Sequence, residues 1–116
     1  MAFKFENLQV WQKALDLTDE VNLLTKSFPK DELYVLTSQI KRAADSVVLN
    51  IAEGCTGQSN PVFKTFLSYS LRSSIEVVSC LFIAKRRKIV SADDFQRLYE
   101  EYQSLTRMIT ALRNTL

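Results

Sequence analysis

The sequence predicts an all-α protein, an antiparallel up-down-up-down four-helix bundle in which residues 1–116 form a single domain. Three observations predict this fold. Apolar residues recur at alternating three- and four-residue steps in four stretches, which is the repeat that keeps side chains on one side of a helix. The connections between the stretches are short, which favours antiparallel neighbours. The whole chain contains two Gly and two Pro, too few for the many turns of a β-rich fold.

The first predicted helix runs from Leu8 to Ser27, with Asn7 as its N-cap. It carries two neighbouring apolar rows. One row contains Leu8, Trp11 and Leu15, and the other contains Val10, Ala14, Leu17, Val21 and Leu24. The helix should end at Phe28-Pro29, because a residue that precedes proline is pushed out of the helical conformation.

The second predicted helix starts within 30–32, where Asp31 and Glu32 suit the positive end of a helix dipole. Its apolar row ends in a polar residue and consists of Leu33, Leu36, Ile40, Ala43, Val47 and Asn50. Gly54 follows the last periodic residue, which is the usual place for a helix C-terminal glycine. The linker at 54–59 contains both glycines and should be the flexible connection.

The third predicted helix opens at Asn60-Pro61, an N-cap followed by proline at the first helical position. Its two rows are Phe63, Leu67, Ser70, Ser74, Val77, Leu81 and Ala84, and beside them Leu71, Ile75, Val78 and Phe82. The fourth predicted helix begins after Ser91, an N-cap with Asp94 three residues on. Its single row is Phe95, Leu98, Tyr102, Leu105, Ile109 and Leu112. Because one row suffices for a bundle core, the doubled rows indicate either a homo-oligomer or a wider intramolecular core.

The composition argues against catalysis and metal binding. The chain has no histidine, which removes the commonest general base and the commonest metal ligand. Cys55 and Cys80 are far apart in the sequence and form neither a zinc motif nor a dithiol motif. We therefore expect no enzyme activity, no catalytic residue, no metal and no cofactor. We also expect a cytoplasmic protein without a membrane segment, because no apolar signal segment opens the chain and no apolar run approaches about 20 residues.

The strongest charge feature is the basic cluster Lys85-Arg86-Arg87-Lys88, in a chain whose net charge is +2. These cations either complement the dipole at a helix C-terminus or contact the phosphates of a nucleic acid. Lys41 and Arg42 would reinforce a nucleic-acid contact if they lie nearby. No exposed aromatic residue is interleaved with the cluster in the sequence, so both interpretations remain open.

Several segments resemble a known family. They are Phe5 to Lys13, Phe28-Pro29 followed by Glu32-Leu33-Tyr34, Gln39 to Val47, Asn50-Ile51-Ala52-Glu53-Gly54, and then Ser73 and Glu76. In this order they resemble the bacterial four-helix bundle family named for proteins encoded in intervening sequences of 23S ribosomal RNA genes. The resemblance covers nearly the whole chain and is most specific in the Asn-Ile-Ala-Glu-Gly stretch.

The resemblance implies a four-helix bundle that assembles into a ring-like homopentamer with no known catalysis. It also implies structural roles for Asn50, Glu53, Ser73 and Glu76. Of these, Asn50, Ser73 and Glu76 would join the second and third helices through polar contacts. A related branch of the family consists of accessory proteins that work with the reverse transcriptase of diversity-generating retroelements.

The sequence thus favours a non-enzymatic homo-oligomeric scaffold that associates with RNA or a ribonucleoprotein. Two alternatives remain. One is a protein–protein interaction module, which could bind a nucleic-acid-binding protein. In that case the basic cluster has no role in binding. The other is an accessory protein of a retroelement reverse transcriptase.

Overall fold

Four α-helices make up most of the protein. The computed structural model describes residues 2–116, so Met1 lies outside the described residues. The helices are α1 (Gln9–Thr25), α2 (Ser38–Gly54), α3 (Asn60–Arg86) and α4 (Ala92–Asn114), and residues 2–116 contain no strand. A 3-10 turn at Lys4–Asn7 precedes α1. A second 3-10 turn (Lys30–Glu32) and one turn of π-helix (Leu33–Thr37) lead into α2.

Contacts between the helices show that neighbours run antiparallel. Ser46 and Val47 of α2 face Ser73 and Ser70 of α3 in reversed order, with oxygen–oxygen distances of 2.9 and 3.0 Å. The first and last helices meet through ion pairs of the same reversed order, Lys13 with Glu101 and Glu20 with Arg97. The third and fourth helices also run in opposite directions, because Ser68 contacts Arg113 and Phe82 packs on Phe95. The predicted all-α, up-down-up-down four-helix bundle is therefore confirmed.

The core lies between the inner rows that the apolar periodicity predicted. The inner row of α1 is buried along its whole length, and so is the row of α4 from Phe95 to Ile109. The buried row that continues along α2 begins before the helix, at Leu36 in the π-helical turn, where Leu33 is 49% exposed. The fully buried polar side chains Ser70 and Ser74 lie in the α3 row, where their small size lets the helices approach.

Several predicted helix ends differ from those in the structure. The N-cap of α1 is Leu8 rather than Asn7, and its side chain makes no capping hydrogen bond. Ser59 rather than Asn60 caps α3, since the Ser59 hydroxyl accepts the Val62 N–H at 3.3 Å. Ser91 caps α4 as predicted and accepts the Asp94 N–H at 3.0 Å. The two N-cap errors are one residue each, because neighbouring residues compete for the cap. The start of α2 differs more, since it was predicted within 30–32 but lies at Ser38, after a 3-10 turn and a π-helical turn.

Gly54 ends α2 for a reason other than the predicted one. Its backbone is not left-handed; among residues 2–116 the glycine with positive φ is Gly57 at 83°. A Cβ added to Gly54 would lie 2.6 Å from the Phe66 Cβ and 3.1 Å from the Phe63 Cδ1. Gly54 is needed because α3 passes too close for any side chain.

The third helix is more apolar than the sequence analysis expected. By length and composition α3 could cross a membrane, since an 18-residue window has a mean hydropathy of 1.3. A mostly buried core helix of a soluble protein meets the same criterion; in α3, 33% of the window is buried inside the protein. The apolarity of α3 comes from the two rows that the periodicity identified.

Candidate functional site

The basic cluster lies where α3 ends. Lys85 and Arg86 occupy its last turn, Arg87 is the C-cap, and Lys88 follows with a left-handed φ of 60°. The Ile89 N–H donates to the Ala84 carbonyl and the Lys88 N–H donates to the Lys85 carbonyl, both at 3.0 Å. This pair of hydrogen bonds is a Schellman motif, whose left-handed position usually holds glycine. It reverses the chain sharply at Lys88, directly after the last turn of α3.

Two of the four cations have partners within the protein. The Arg87 guanidinium donates to both carboxylate oxygens of Glu32 at 3.0 Å. The Lys85 ammonium lies 4.4 Å from the centre of the Phe95 ring, a favourable cation–π distance. Arg86 and Lys88 are exposed and have no acidic partner among the residues that the structure describes. These two side chains are therefore available for an external anion.

An open groove of about 750 Å³ runs along this end of α3. We call it the α3 groove, and it is lined by Ser79, Phe82, Ile83, Lys85, Arg86, Arg87 and Lys88. Phe82 is 50% exposed although its ring packs edge-to-face against Phe95 and Tyr99, with centroid separations of 5.0 and 6.0 Å. The groove therefore combines positive charge with a fixed, half-exposed aromatic ring.

This aromatic ring was not among the predicted site residues. No aromatic residue is interleaved with the four cations in the sequence, but Phe82 precedes Arg86 by four positions and so lies on the same side of α3. The four-residue spacing of Phe82 and Arg86 was the sequence signal that could have identified the ring.

The other predicted basic residues lie elsewhere. Lys41 lines a separate groove of about 360 Å³ with Lys26 and Lys30, near the end of α1 and the start of α2. Arg42 is exposed and has no ion-pair partner within residues 2–116. Neither side chain lines the α3 groove, so the structure does not bring them together with Lys85–Lys88 in one groove.

Two of the four polar residues of the family pattern, Ser73 and Glu76, make hydrogen bonds between α2 and α3. The Asn50 amide donates at 2.9 Å to both the carbonyl and the hydroxyl of Ser46, and this hydroxyl lies 2.9 Å from that of Ser73. Glu76 accepts a 3.4 Å hydrogen bond from Gln39. Glu53 is exposed and makes no side-chain hydrogen bond or ion pair within the described chain. Ser73 and Glu76 thus contribute directly to the contact between the two helices, whereas both hydrogen bonds of Asn50 stay within α2 and reach Ser73 only through the Ser46 hydroxyl.

The two cysteine side chains, Cys55 and Cys80, are buried. Burial raises the pKa of the Cys55 thiol, and burial together with the Glu76 carboxylate raises the pKa of the Cys80 thiol. Both thiols therefore stay in the protonated, less nucleophilic form. Among residues 2–116 no group of three or more His, Cys, Asp or Glu side chains is placed to hold a metal ion.

The outer apolar rows divide into buried and exposed residues. Leu8, Trp11, Leu71 and Val78 pack against the core. Ile75 is 64% exposed and Leu15 is 38% exposed. The wider intramolecular core thus accounts for part of the doubled rows, and the exposed remainder is available for another molecule.

The fold and the groove together define a class: an antiparallel four-helix bundle that presents a basic groove at one end of its third helix. The particular family follows from the sequence. The profile of the 23S rRNA-intervening sequence protein family matches residues 6–111. The chain belongs to this family, and the resemblance drawn from its motifs is confirmed.

A solved structure shows the same fold. It is the crystal structure of a protein of unknown function from the S23 ribosomal protein family of Bacteroides thetaiotaomicron VPI-5482. It aligns with a TM-score of 0.83 over 90% of this chain and 95% of that chain, at 20% sequence identity. At this identity the similarity establishes the shared fold alone. No curated protein matches the sequence.

Proposed function

We propose that the protein is a non-enzymatic, homo-oligomeric scaffold that associates with RNA through the α3 groove. The observation that carries this proposal is the exposure of Arg86 and Lys88, which lack acidic partners, beside an open groove. RNA is the polyanion that we propose for the groove, and the name of the similar structure, which refers to a ribosomal protein family, supports this choice.

Electrostatics sets the expected strength of this contact. Each phosphate that a cation neutralises releases counterions, so the logarithm of the affinity falls with the logarithm of salt concentration by about 0.7 per contact for a single strand. Two free cations per protomer give a shallow dependence and weak binding. An oligomer would repeat the groove, so that weak contacts act together through effective concentration.

The exposed apolar side chains support an oligomer. Leu23, Leu49 and Ile75 are 66, 58 and 64% exposed, and all three lie on helices rather than in loops. Contact between copies would remove their apolar surface from water. Five copies is the number that the family resemblance implies. Light scattering at micromolar concentration should give a multiple of 13.3 kDa, and a monomer mass would contradict this part of the proposal.

The RNA contact is tested by removing the two free cations. The double variant Arg86→Gln, Lys88→Gly avoids Arg87, which Glu32 holds, and glycine suits the left-handed position. We expect weaker binding to a 23S rRNA fragment and a salt dependence shallower by about 1.4 per protomer in contact. The measurement is fluorescence anisotropy across a salt series.

A matched control separates local contact from overall charge. The variant Lys26→Gln, Lys30→Gln removes two cations from the other groove and lowers the net charge equally, from +2 to 0. This control should lose less affinity for RNA than the variant Arg86→Gln, Lys88→Gly does. An equal loss in both double variants, or no binding by the native protein at low salt, would contradict the proposal.

A protein partner is the second candidate, because Phe82 and Ile83 expose apolar surface in the same groove. An acidic segment with one apolar anchor would fit this lining. In that case the double variant should lose the protein partner, and the native chain should not bind RNA even at low salt.

A further inference from the structure

We infer that the α3 groove takes a single-stranded nucleic acid, with a base against the exposed part of Phe82 and phosphates on Arg86 and Lys88. This inference rests on the proposed function and narrows it, because it names the kind of nucleic acid and a contact other than charge. The juxtaposition that carries it is a fixed aromatic ring and two unpaired cations in one groove.

The Phe82 ring is suited to stacking because it is held in place on one side. It meets Phe95 at an interplanar angle of 71° and Tyr99 at 87°, both edge-to-face arrangements that fix aromatic rings. Half of the residue is nevertheless exposed. A ring that is already immobilised loses little conformational freedom when a base packs on it.

Arg86 lies at a suitable distance from the Phe82 ring for a nucleotide to contact both. Arg86 follows Phe82 by one helical turn, so their Cβ atoms are about 5–6 Å apart. A base and its own phosphate can therefore contact the ring and the guanidinium together. Single-strand binding proteins use the same combination of basic groove and aromatic side chain, in which one stacked base contributes roughly 5- to 150-fold in affinity.

A double helix does not explain the aromatic ring. The base faces of an A-form helix are stacked on one another, so proteins contact such a helix through phosphates and 2′-hydroxyls. A duplex would use Arg86 and Lys88 and leave Phe82 exposed. A second copy of this chain is the other occupant that would cover Phe82, and it would do so without requiring the unpaired cations.

The test compares single-stranded and duplex RNA of the same composition, with the variant Phe82→Leu. We expect the native protein to prefer the single strand at least fivefold. The variant should lose at least fivefold in affinity for the single strand, keep the native salt slope because no charge changes, and keep its affinity for the duplex. Tyr34→Leu is the matched control, since it removes a 90% exposed aromatic side chain outside the groove.

Two further readouts make the outcome decisive. Phe82→Trp should preserve binding and add a tryptophan signal that the single strand quenches, beyond any signal of Trp11, the one natural tryptophan. This variant also serves if Phe82→Leu folds poorly, since an emission spectrum unchanged by the single strand would overturn the inference. A change of oligomer mass in Phe82→Leu would likewise overturn it, because it would place Phe82 in the contact between copies.

The inference and the proposed function fail in different ways. Binding that needs Arg86 and Lys88 but is the same in Phe82→Leu, or is equal for duplex and single strand, overturns the stacking inference and retains the RNA proposal. No binding of either RNA by the native protein at low salt overturns both.

Discussion

Replacing Gly54 by alanine tests the close approach of α2 and α3 that organises the bundle. The new Cβ would lie 2.6 Å from the Phe66 Cβ, whereas carbon atoms in contact prefer about 3.5–4.0 Å. Relief therefore requires the two helices to separate locally by roughly 1 Å. The clash involves the root of the Phe66 side chain, which no rotamer change can move.

Two opposing effects set the size of the change. Alanine stabilises a helix relative to glycine by at most about 1 kcal/mol, and less at the last residue of α2. Overpacking in a close-packed interior costs about 1–3 kcal/mol. We expect the cost of overpacking to exceed the gain in helix propensity, so Gly54→Ala should lower the free energy of unfolding by about 1–2 kcal/mol. For a chain of this size that is a fall in Tm of about 4–8 °C.

Urea denaturation followed by circular dichroism measures this change, and a double-mutant cycle identifies its cause. Phe66→Ala keeps the clashing Cβ, so the penalty of Gly54→Ala should persist in that background, whereas Phe66→Gly should relieve it. Gly57→Ala is the control, because Gly57 has no neighbour within 4 Å and its cost comes from a φ of 83° alone. A neutral or stabilising Gly54→Ala would show that the helices do not approach as described.

Three other substitutions have definite expected outcomes. Lys88→Gly should raise the free energy of unfolding by about 1 kcal/mol, because φ is 60° and side chains disfavour this region; Lys88→Ala should show no such gain. Ser46→Ala should lower the free energy of unfolding by about 1–3 kcal/mol in urea titrations, since the Ser46 hydroxyl is a hydrogen-bond partner of both Asn50 and Ser73. An unchanged midpoint would mean that water replaces those contacts. Tyr102→Phe removes a buried hydroxyl that has no protein partner and should be neutral or stabilising at pH 7. Burial, and then Glu20 and Asp45, raise the pKa of folded Tyr102 above its ordinary value of 10.0, so native stability is complete below pH 10 and falls at higher pH. Above pH 10 the advantage of the variant should grow by about 1.4 kcal/mol per pH unit, and an equal difference at pH 7 and pH 11 would refute this reasoning.

The helices and their buried rows could be predicted because helical periodicity is a local property of the chain. The row from Phe95 to Ile109 is buried as its spacing required. The caps were harder, since Ser59 and Asn60 are both good N-cap residues and the path of the linker decides between them. The role of Gly54 was not accessible, because the clashing atom belongs to Phe66 on another helix.

The candidate site was located by the sequence but not resolved by it. Four consecutive cations marked the end of α3, yet two of them are paired with residues that are distant in the sequence. Glu32 and Arg87 are 55 positions apart, and Phe95 reaches Lys85 from the following helix. No local pattern predicts such pairings. The spacing of Phe82 and Arg86, by contrast, was readable from the helical repeat alone.

Because two cations of the basic cluster are paired within the protein and two are free, the choice of substitutions decides whether RNA binding by the groove can be measured. Replacing all four cations together would remove the Arg87–Glu32 contact and disturb the left-handed position of Lys88, so a loss of binding could arise from a displaced helix end. Arg86→Gln changes neither contact. Lys88→Gly removes a charge while it favours the existing backbone. An effect of these two substitutions on RNA affinity, with undiminished stability, therefore reports on the groove itself.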